Sequence, residues 1–452
     1  MNSPHPLALL ALAGLLCAPA AQAGVTAAEA ARLKTDLTPF GAEKAANKDG
    51  TIPAWTGGYT ETIPGYVPGG RIPDPYAADK PLYTITAKNT DAHADKLSEG
   101  VKALFAKYPE TYQLHVYPTR RSAAAPAWVY DNIFKNATRA RMKGDMPEGA
   151  YGGVPFPLPK TGAEAVWNHL LAWQGNAWRL ENSQYLVTAD GRMVTLGKEV
   201  IVEARPYYDE NGSPQTWNGD VSLIHFRFNG PAARVGESAV VRTNVDADKS
   251  RSWVYFAGQR RTRQLPNPCC DTPNPSSSGM IGFDEIYQFY GPIHRYDWKL
   301  VGKREMVIPY NQNRYLQAPS DKELVSGRHI NPEWSRWELH RVWVVEGQLR
   351  AGQRHSAPKV RLYLDEDTWI STLSERYDAQ GQLWKVGEVG LGVSSTGAAT
   401  YSFFFNSYDL VAGTLYMGGA FSDTRDDRTV LERSKVPDAQ FTPEAMASES
   451  VR

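Results

Sequence analysis

The sequence predicts an α+β, β-rich protein. It is built on one large curled antiparallel sheet, a half-barrel covered by helices that come mostly from the N-terminal third. Three observations predict this. Beyond about residue 175 the apolar residues alternate with a period of two, as in KVRLYLDED, where Val360, Leu362 and Leu364 interleave with Arg361, Tyr363 and Asp365. Short turn signals separate these runs: Asp190-Gly191, Glu210-Asn211-Gly212 and Asp378-Ala379-Gln380-Gly381. Thirteen tryptophans and 23 tyrosines supply the broad side chains that pleated surfaces favour.

Residues 1–23 read as a Sec-type signal peptide. A short apolar run, PLALLALAGLLCAPA, ends at Ala21-Gln22-Ala23, and cleavage is expected after Ala23. Cys17 would leave with the leader. No later stretch reaches ~18 consecutive apolar residues, so the expected location is the periplasm, with peripheral contact to the outer membrane at most. The 49 basic and 49 acidic residues balance, which argues against a nucleic-acid partner.

The mature chain, 24–452, reads as one domain. Thr26-Ala27-Ala28-Glu29 has capping-box spacing and opens an Ala-rich helix. Residues 38–88 form an irregular Pro/Gly-rich arm, and 24–88 together make the N-terminal helix and arm. Residues 89–175 form the helical cover. Leu97, Val101, Leu104, Phe105 and Tyr108 mark one helix face. A second helix spans about 126–142. A third follows Thr161, with Val166, Trp167, Leu170 and Leu171 inward. Residues 176–440 supply the sheet, about ten to twelve strands by the turn spacing, and 441–452 a tail. A sheet of that length must curl, split or close. In YDWKLVGKREMVIPYN, strict alternation puts Tyr296, Trp298, Leu300, Met306 and Ile308 on one face.

No P-loop, GxGxxG, GxSxG or HExxH occurs, so a non-enzymatic protein without cofactor or metal is expected. His225, His294, His329, His340 and His355 show no ligand spacing. Asp365-Glu366-Asp367 reads as a solvated strand end. Candidate ligand-binding side chains come from the apolar strand faces: Trp253, Tyr255, Trp298, Leu300, Trp343, Val345, Leu362, Phe403 and Phe405. Arg261 and Arg263 follow Trp253 and Tyr255 across a hairpin turn and are candidates for a rim that holds an anionic head group. Cys269 and Cys270 lie in the Pro-bracketed loop NPCCDTPNP. In an oxidising compartment they could close a vicinal disulfide that stiffens the turn, and the alternative is a reactive thiol.

Six stretches carry a resemblance: LTPFGAEKAANKDGTIPAWTGG, VPFPLPKTGAEAVWNHLL, WVYFAGQRRTRQLP, YDWKLVGKREMVIPYN, RVWVVEGQLRAGQRHSAPKVRLYLDEDTW and RYDAQGQLWKV. They resemble a family of exported Gram-negative proteins of unknown function described as outer-membrane lipoprotein-sorting-like. More distantly they resemble the periplasmic lipoprotein carriers of the Lol type. The resemblance implies a half-barrel with an apolar cavity for acyl chains and a helix over Phe283–Gly291. Its implied partners are an inner-membrane exporter of the resistance-nodulation-division type and an outer-membrane protein. It implies no catalytic residue and does not account for Cys269-Cys270. The function expected is that of a periplasmic carrier passing a lipid, a lipoprotein acyl chain or another apolar ligand between membrane partners. The alternatives are a non-enzymatic scaffold of an envelope transport complex and, less favoured, an envelope glycan or lipid hydrolase.

Overall fold

A computed structural model describes residues 24–265, 269–423, 430–433 and 436–450. The predicted leader lies outside the described residues. Five α-helices are described: α1 (Ala27–Ala31), α2 (Glu99–Lys107), α3 (Ala127–Arg139), α4 (Gly162–Leu170) and α5 (Pro443–Ser450). The strands are β1 (Tyr83–Thr86), β2 (Gln113–Tyr117), β3 (Arg141–Lys143), β4 (Met146–Glu148), β5 (Ala177–Val187), β6 (Met193–Ala204), β7 (Asp220–Gly230), β8 (Ser238–Asn244), β9 (Arg251–Phe256) and β10 (Arg261–Gln264). They continue as β11 (Tyr296–Pro309), β12 (Val325–Ser326), β13 (His329–Ile330), β14 (Trp337–Leu349), β15 (Lys359–Asp365), β16 (Ser371–Tyr377), β17 (Leu383–Val393), β18 (Thr400–Asp409), β19 (Thr414–Ala420) and β20 (Val430–Arg433).

Sixteen of these strands form one open sheet, more than the turn spacing suggests, in the order β1-β2-β14-β15-β16-β17-β18-β19-β5-β6-β7-β8-β9-β10. β11 also pairs with β14, and β20 with β5. Every pairing in it is antiparallel except β2 with β14. The N-terminal third caps this sheet as its patterns predict. Thr26–Glu29 and Thr161–Glu164 both form capping boxes. Val101, Leu104 and Phe105 of α2 are buried, and α2 lies so close to the sheet that a Cβ on Gly100 would stand 2.8 Å from Val386 Cγ1. At the start of α4, Gly162 meets the β11 backbone: a Cβ there would sit 2.6 Å from the Trp298 carbonyl carbon.

A β-bulge between Leu300 and Gly302 changes the predicted face of β11. Trp298 and Leu300 pair with Gly347 and Val345, but Lys303 then pairs with Trp343, and Met306 with His340. The extra residue reverses parity, so Met306 and Ile308 lie on the face opposite Trp298 and Leu300. Lys303 sits 5.1 Å over the Trp343 ring instead.

The arm is docked along its length. Phe40, Ile52, Ile63 and Ile72 are buried in the main core, and Trp55 donates its indole N–H to the Ala123 carbonyl at 3.0 Å. Residues 441–450 do not form a free tail: Phe441 and Met446 are fully buried.

The acidic triplet is not solvated, contrary to the sequence expectation. Asp365, Glu366 and Asp367 are all at most 1% exposed. The Arg121 guanidinium meets Asp367 through two hydrogen bonds, at 2.8 and 2.7 Å, and also donates to the carbonyls of Glu43, Lys44 and Pro53 in the arm. Arg341 and Lys303 pair with Glu366 at 3.1 and 2.8 Å. The β-rich chain brings these charges together from positions up to 246 residues apart, which strand periodicity does not reveal. Removing one partner of a buried pair leaves the other charge stranded, at a cost of about 3–5 kcal/mol. Arg121→Ala is therefore expected to lower unfolding stability by that order in urea titration. It should also make the 43–53 segment sensitive to limited proteolysis under native conditions.

Candidate functional site

The β9–β10 hairpin turns through Ala257–Gln259, with Arg260 in the left-handed region at φ 48°. Its register pairs Arg261 with Phe256, Thr262 with Tyr255, Arg263 with Val254 and Gln264 with Trp253. Side chains paired across a ladder share a face. Arg261 and Arg263 therefore stand beside Val254 and Phe256, on the opposite side from Trp253 and Tyr255.

The same rule traces the two faces across the sheet. Val345 pairs with Leu362, Leu362 with Ser374, Ser374 with Gly387 and Gly387 with Ser407. Phe405, two residues along β18, shares that side and pairs with Gly418, which pairs with Gln184. Four residues along β5, Leu180 pairs with Ile201, and the row runs on through Phe226, Ala239, Val254 and Arg263. We call this the front face. Trp298, Leu300, Trp343, Val345, Leu362, Phe405, Arg261 and Arg263 belong to it. Trp253 and Tyr255 belong to the back, where Tyr255 is buried with Val240, Phe441 and Met446 below the C-terminal helix. The proposed cavity wall is thus divided between two faces. Phe403 sits at the irregularity beside Gly390 and packs its ring on Gly392.

Most of the front face is covered. Trp343 stacks at 6.2 Å on Trp369, whose indole N–H donates to the Phe40 carbonyl at 2.8 Å. Val345 and Leu362 are fully buried. Segment 283–290 lies over the middle strands. It is a 3₁₀ turn at Phe283–Glu285 followed by Tyr287 and Gln288 at positive φ, not the helix that the resemblance implies. Lys385 pairs with Glu285 at 2.8 Å, Arg376 donates to the Asp284 and Gln288 carbonyls, and the Tyr287 ring lies 5.0 Å from Phe405. A recess lined by Gly24, Val25, Ala137 and Phe156 holds about 20 Å³, room for about one water.

The front of β6 to β9 differs. Ile201, Ile224, Phe226, Val241, Val254 and Phe256 are only half-buried. Among the described residues, the last five join none of the four apolar clusters. This is a continuous apolar strip left partly open. One border carries Tyr290, whose hydroxyl donates to Thr243 Oγ1 at 3.1 Å. Beside it, Glu203 accepts from Ser222 at 2.8 Å and from Arg205 at 3.1 Å. The far border is the exposed pair Arg261 and Arg263, neither of which forms an ion pair among the described residues; the Arg263 guanidinium stands 5.9 Å from the Phe256 ring centre. Val254 and Phe256, which alternation assigns to the opposite side from Trp253 and Tyr255, belong to this strip, and aromatic size alone does not pick them out.

Two further constellations are explicit. Donor atoms of His340, Asp365 and Asp367 lie within 4.8 Å of one another, a grouping that the spacing of the histidines does not show. The Asp367 carboxylate is occupied by Arg121, and His340 is held by Glu338 at 3.0 Å and stacked 3.9 Å from Tyr310. Burial opposes the charge on His340, but the Glu338 hydrogen bond and the nearby carboxylates outweigh it and raise its pKa. The cluster is a set of ion pairs, not a vacant ligand set. Cys269 is half-buried and Cys270 buried, and both are free thiols.

Residues 84–447 match the family described as Protein of unknown function (DUF1329). The chain belongs to this family. It is 35% identical over 448 residues to the uncharacterized protein PA3922 of Pseudomonas aeruginosa, covering 98% of this chain and 97% of that one. Among solved structures it is similar to a DUF1329 family protein from Desulfovibrio piger, with TM-score 0.41 and 13% identity over 60% of this chain and 92% of that one. It is also similar to a LolA superfamily protein from Nitrosomonas europaea, with TM-score 0.38 and 11% identity over 64% and 100%. Among the described residues, no helix is long and apolar enough to cross a membrane.

Glu199, on the front face beside the strip, gives this DUF1329 chain a pH signature. Burial pushes its carboxyl up to about 7, against hydrogen bonds from Gln184 and Asn182 that lower it. Below the ordinary carboxyl range both folded and unfolded forms are protonated. Between about 4.5 and 7 only the unfolded form ionises, so this group's contribution to stability falls as pH rises and levels off above 7. Glu199→Gln should remove that decline, on the order of 3 kcal/mol at 1.36 kcal/mol per unit. Urea titrations of both proteins across pH 4–8 measure the difference.

Proposed function

We propose that this protein is a non-enzymatic periplasmic carrier. It holds the acyl chain of an anionic lipid or lipoprotein on the open front strip of β6–β9 and passes it between membrane partners. By resemblance, those partners are an inner-membrane resistance-nodulation-division exporter and an outer-membrane protein. The observation that carries the reading is the strip itself: half-buried apolar side chains in one continuous row, ended by two exposed arginines without ion-pair partners among the described residues. A contiguous row of partly exposed apolar side chains supports a binding face here. Each methylene removed from water there contributes up to about 0.8 kcal/mol. Arg261 and Arg263 supply charge complementarity for a carboxylate or phosphate head. The export signal expected in residues 1–23 supports a location where such cargo travels. Tight packing behind Trp343, Val345 and Leu362 excludes cargo from that part of the sheet, so the ligand is expected to bind at the strip.

The test is native mass spectrometry of protein purified from the periplasm, with extraction of bound organics and titration with a fluorescent fatty acid. A co-purifying lipid and saturable uptake are expected. Val254→Asp should weaken uptake at least tenfold, with circular dichroism melts showing that the variant is folded. Replacing Arg261 and Arg263 together by Ser should weaken the fatty acid but not the matching fatty alcohol. A ligand-free mass together with no uptake overturns the proposal.

A further inference from the structure

The vicinal cysteines remain outside this reading, and their surroundings are those of a reactive thiol. Arg295 lies part-buried beside Cys269, and its Nη2 donates to Cys269 Sγ at 3.8 Å. Among the described residues Arg295 has no carboxylate partner. Its Nη1 is satisfied by the Arg354 carbonyl at 2.9 Å, and its Nε is buried without an acceptor. A guanidinium in this position favours a thiolate over a thiol. Cys270, the adjacent thiol, is 2% exposed, and its backbone is held at φ 64°, a left-handed conformation uncommon for a side-chain-bearing residue. The pair also sits where segment 283–290 is tied down: the Cys270 carbonyl accepts from Asp284 N–H at 3.0 Å, and Asp271 accepts from Ser356 N–H at 2.7 Å.

We infer that Cys269 is a thiol–disulfide exchange site, attacking small or protein disulfides as its thiolate, with Cys270 as the resolving thiol. In the first step Cys269 Sγ forms a bond to one sulfur of the incoming disulfide. The disulfide bond breaks, and the departing sulfur leaves with the electron pair as a thiolate that solvent protonates. In the second, Cys269 Sγ, now bound in the mixed disulfide, no longer carries the negative charge that held the proton on Cys270, so Cys270 loses that proton to solvent and attacks Cys269 Sγ. A Cys269–Cys270 bond forms, and the second thiolate of the reagent departs. The dithiol loses two electrons, and the incoming disulfide gains them. The two thiols divide these roles by exposure, since only Cys269 is reachable. Their acidities divide in the same sense. The hydrogen bond from Cys270 and the charge of Arg295 pull Cys269 below the ordinary thiol range, against burial and Asp284, whereas the hydrogen bond to Cys269 and burial push Cys270 far above it.

The experiment uses the purified protein carrying Cys17→Ser, so that only the pair reports, treated with oxidised glutathione and followed by intact mass. The expected sequence is a single glutathione adduct followed by its loss to a species two mass units below the reduced protein. Cys270→Ser should arrest the reaction at the adduct, and Cys269→Ser should give none. Arg295→Gln should slow adduct formation at pH 6.5 by tenfold or more and move the pH midpoint of the rate upward, with Arg295→Lys restoring part of it. Circular dichroism melts show whether each variant is folded. An unreactive wild-type pair overturns the inference, as does equal reaction of a folded Cys269→Ser protein or an Arg295→Gln rate equal to wild type.

Discussion

The fold depends on a set of charges taken out of water. Glu338, Asp365, Glu366 and Asp367 are all within 1% of complete burial. Burying an ionised carboxylate alone is prohibitive, so three of them meet cations, while burial and the neighbouring Asp367 raise the pKa of Asp365. Arg336 reaches Glu338 at 2.6 Å, Arg121 reaches Asp367, and Lys303 and Arg341 reach Glu366. Arg121 comes from the β2–α3 connection, Lys303 from β11, Arg341 from β14 and Arg336 from the residue just before β14. Satisfying the charges therefore fixes where three distant pieces of chain meet. It also recruits the arm, because Arg121 has donors left after pairing and spends them on arm carbonyls. A segment rich in Pro and Gly, with little regular structure, is held in place by an arginine that the sheet requires for its own neutrality.

That dependence explains what the sequence could and could not disclose. The capping boxes at Thr26 and Thr161, the apolar stripe of α2 and the period-two runs are local, and the chain spells them out within a few residues. The buried charges are invisible locally, since DED at the end of an alternating strand looks the same whether it faces water or Arg121. Strand parity sits between these cases. Alternation shows that Trp298 and Leu300 share a side, but the inserted Val301 reverses everything after it, and a single bulge leaves no mark in composition.

The hairpin shows the same limit in the site. Residues 253–256 alternate cleanly, and the two sides are correctly separated by sequence. Which side is covered by α5 and which is left open depends on a helix nearly 200 residues away. Aromatic size points to Trp253 and Tyr255, and these are the residues that the C-terminal helix needs as its floor. The smaller pair, Val254 and Phe256, lies on the other side and is only half-buried.

An open apolar row is costly to keep in a protein with this much tight packing, and the surrounding polar atoms say how it stays open. Segment 283–290 is held by Lys385, Arg376 and Ser374 through charge and hydrogen bonds, and it contributes Tyr290 to the border of the strip. Such contacts are directional, and they hold the segment at fixed points over β16 to β18, from which Ile286 packs against the cluster that holds Leu196 of β6 and Tyr290 reaches Thr243 of β8. An apolar contact has no such preference and would draw the cover onto any greasy surface in reach. The loop that begins at Cys269 and Cys270 is the root from which this polar tether hangs, since the Cys270 carbonyl accepts from the Asp284 N–H.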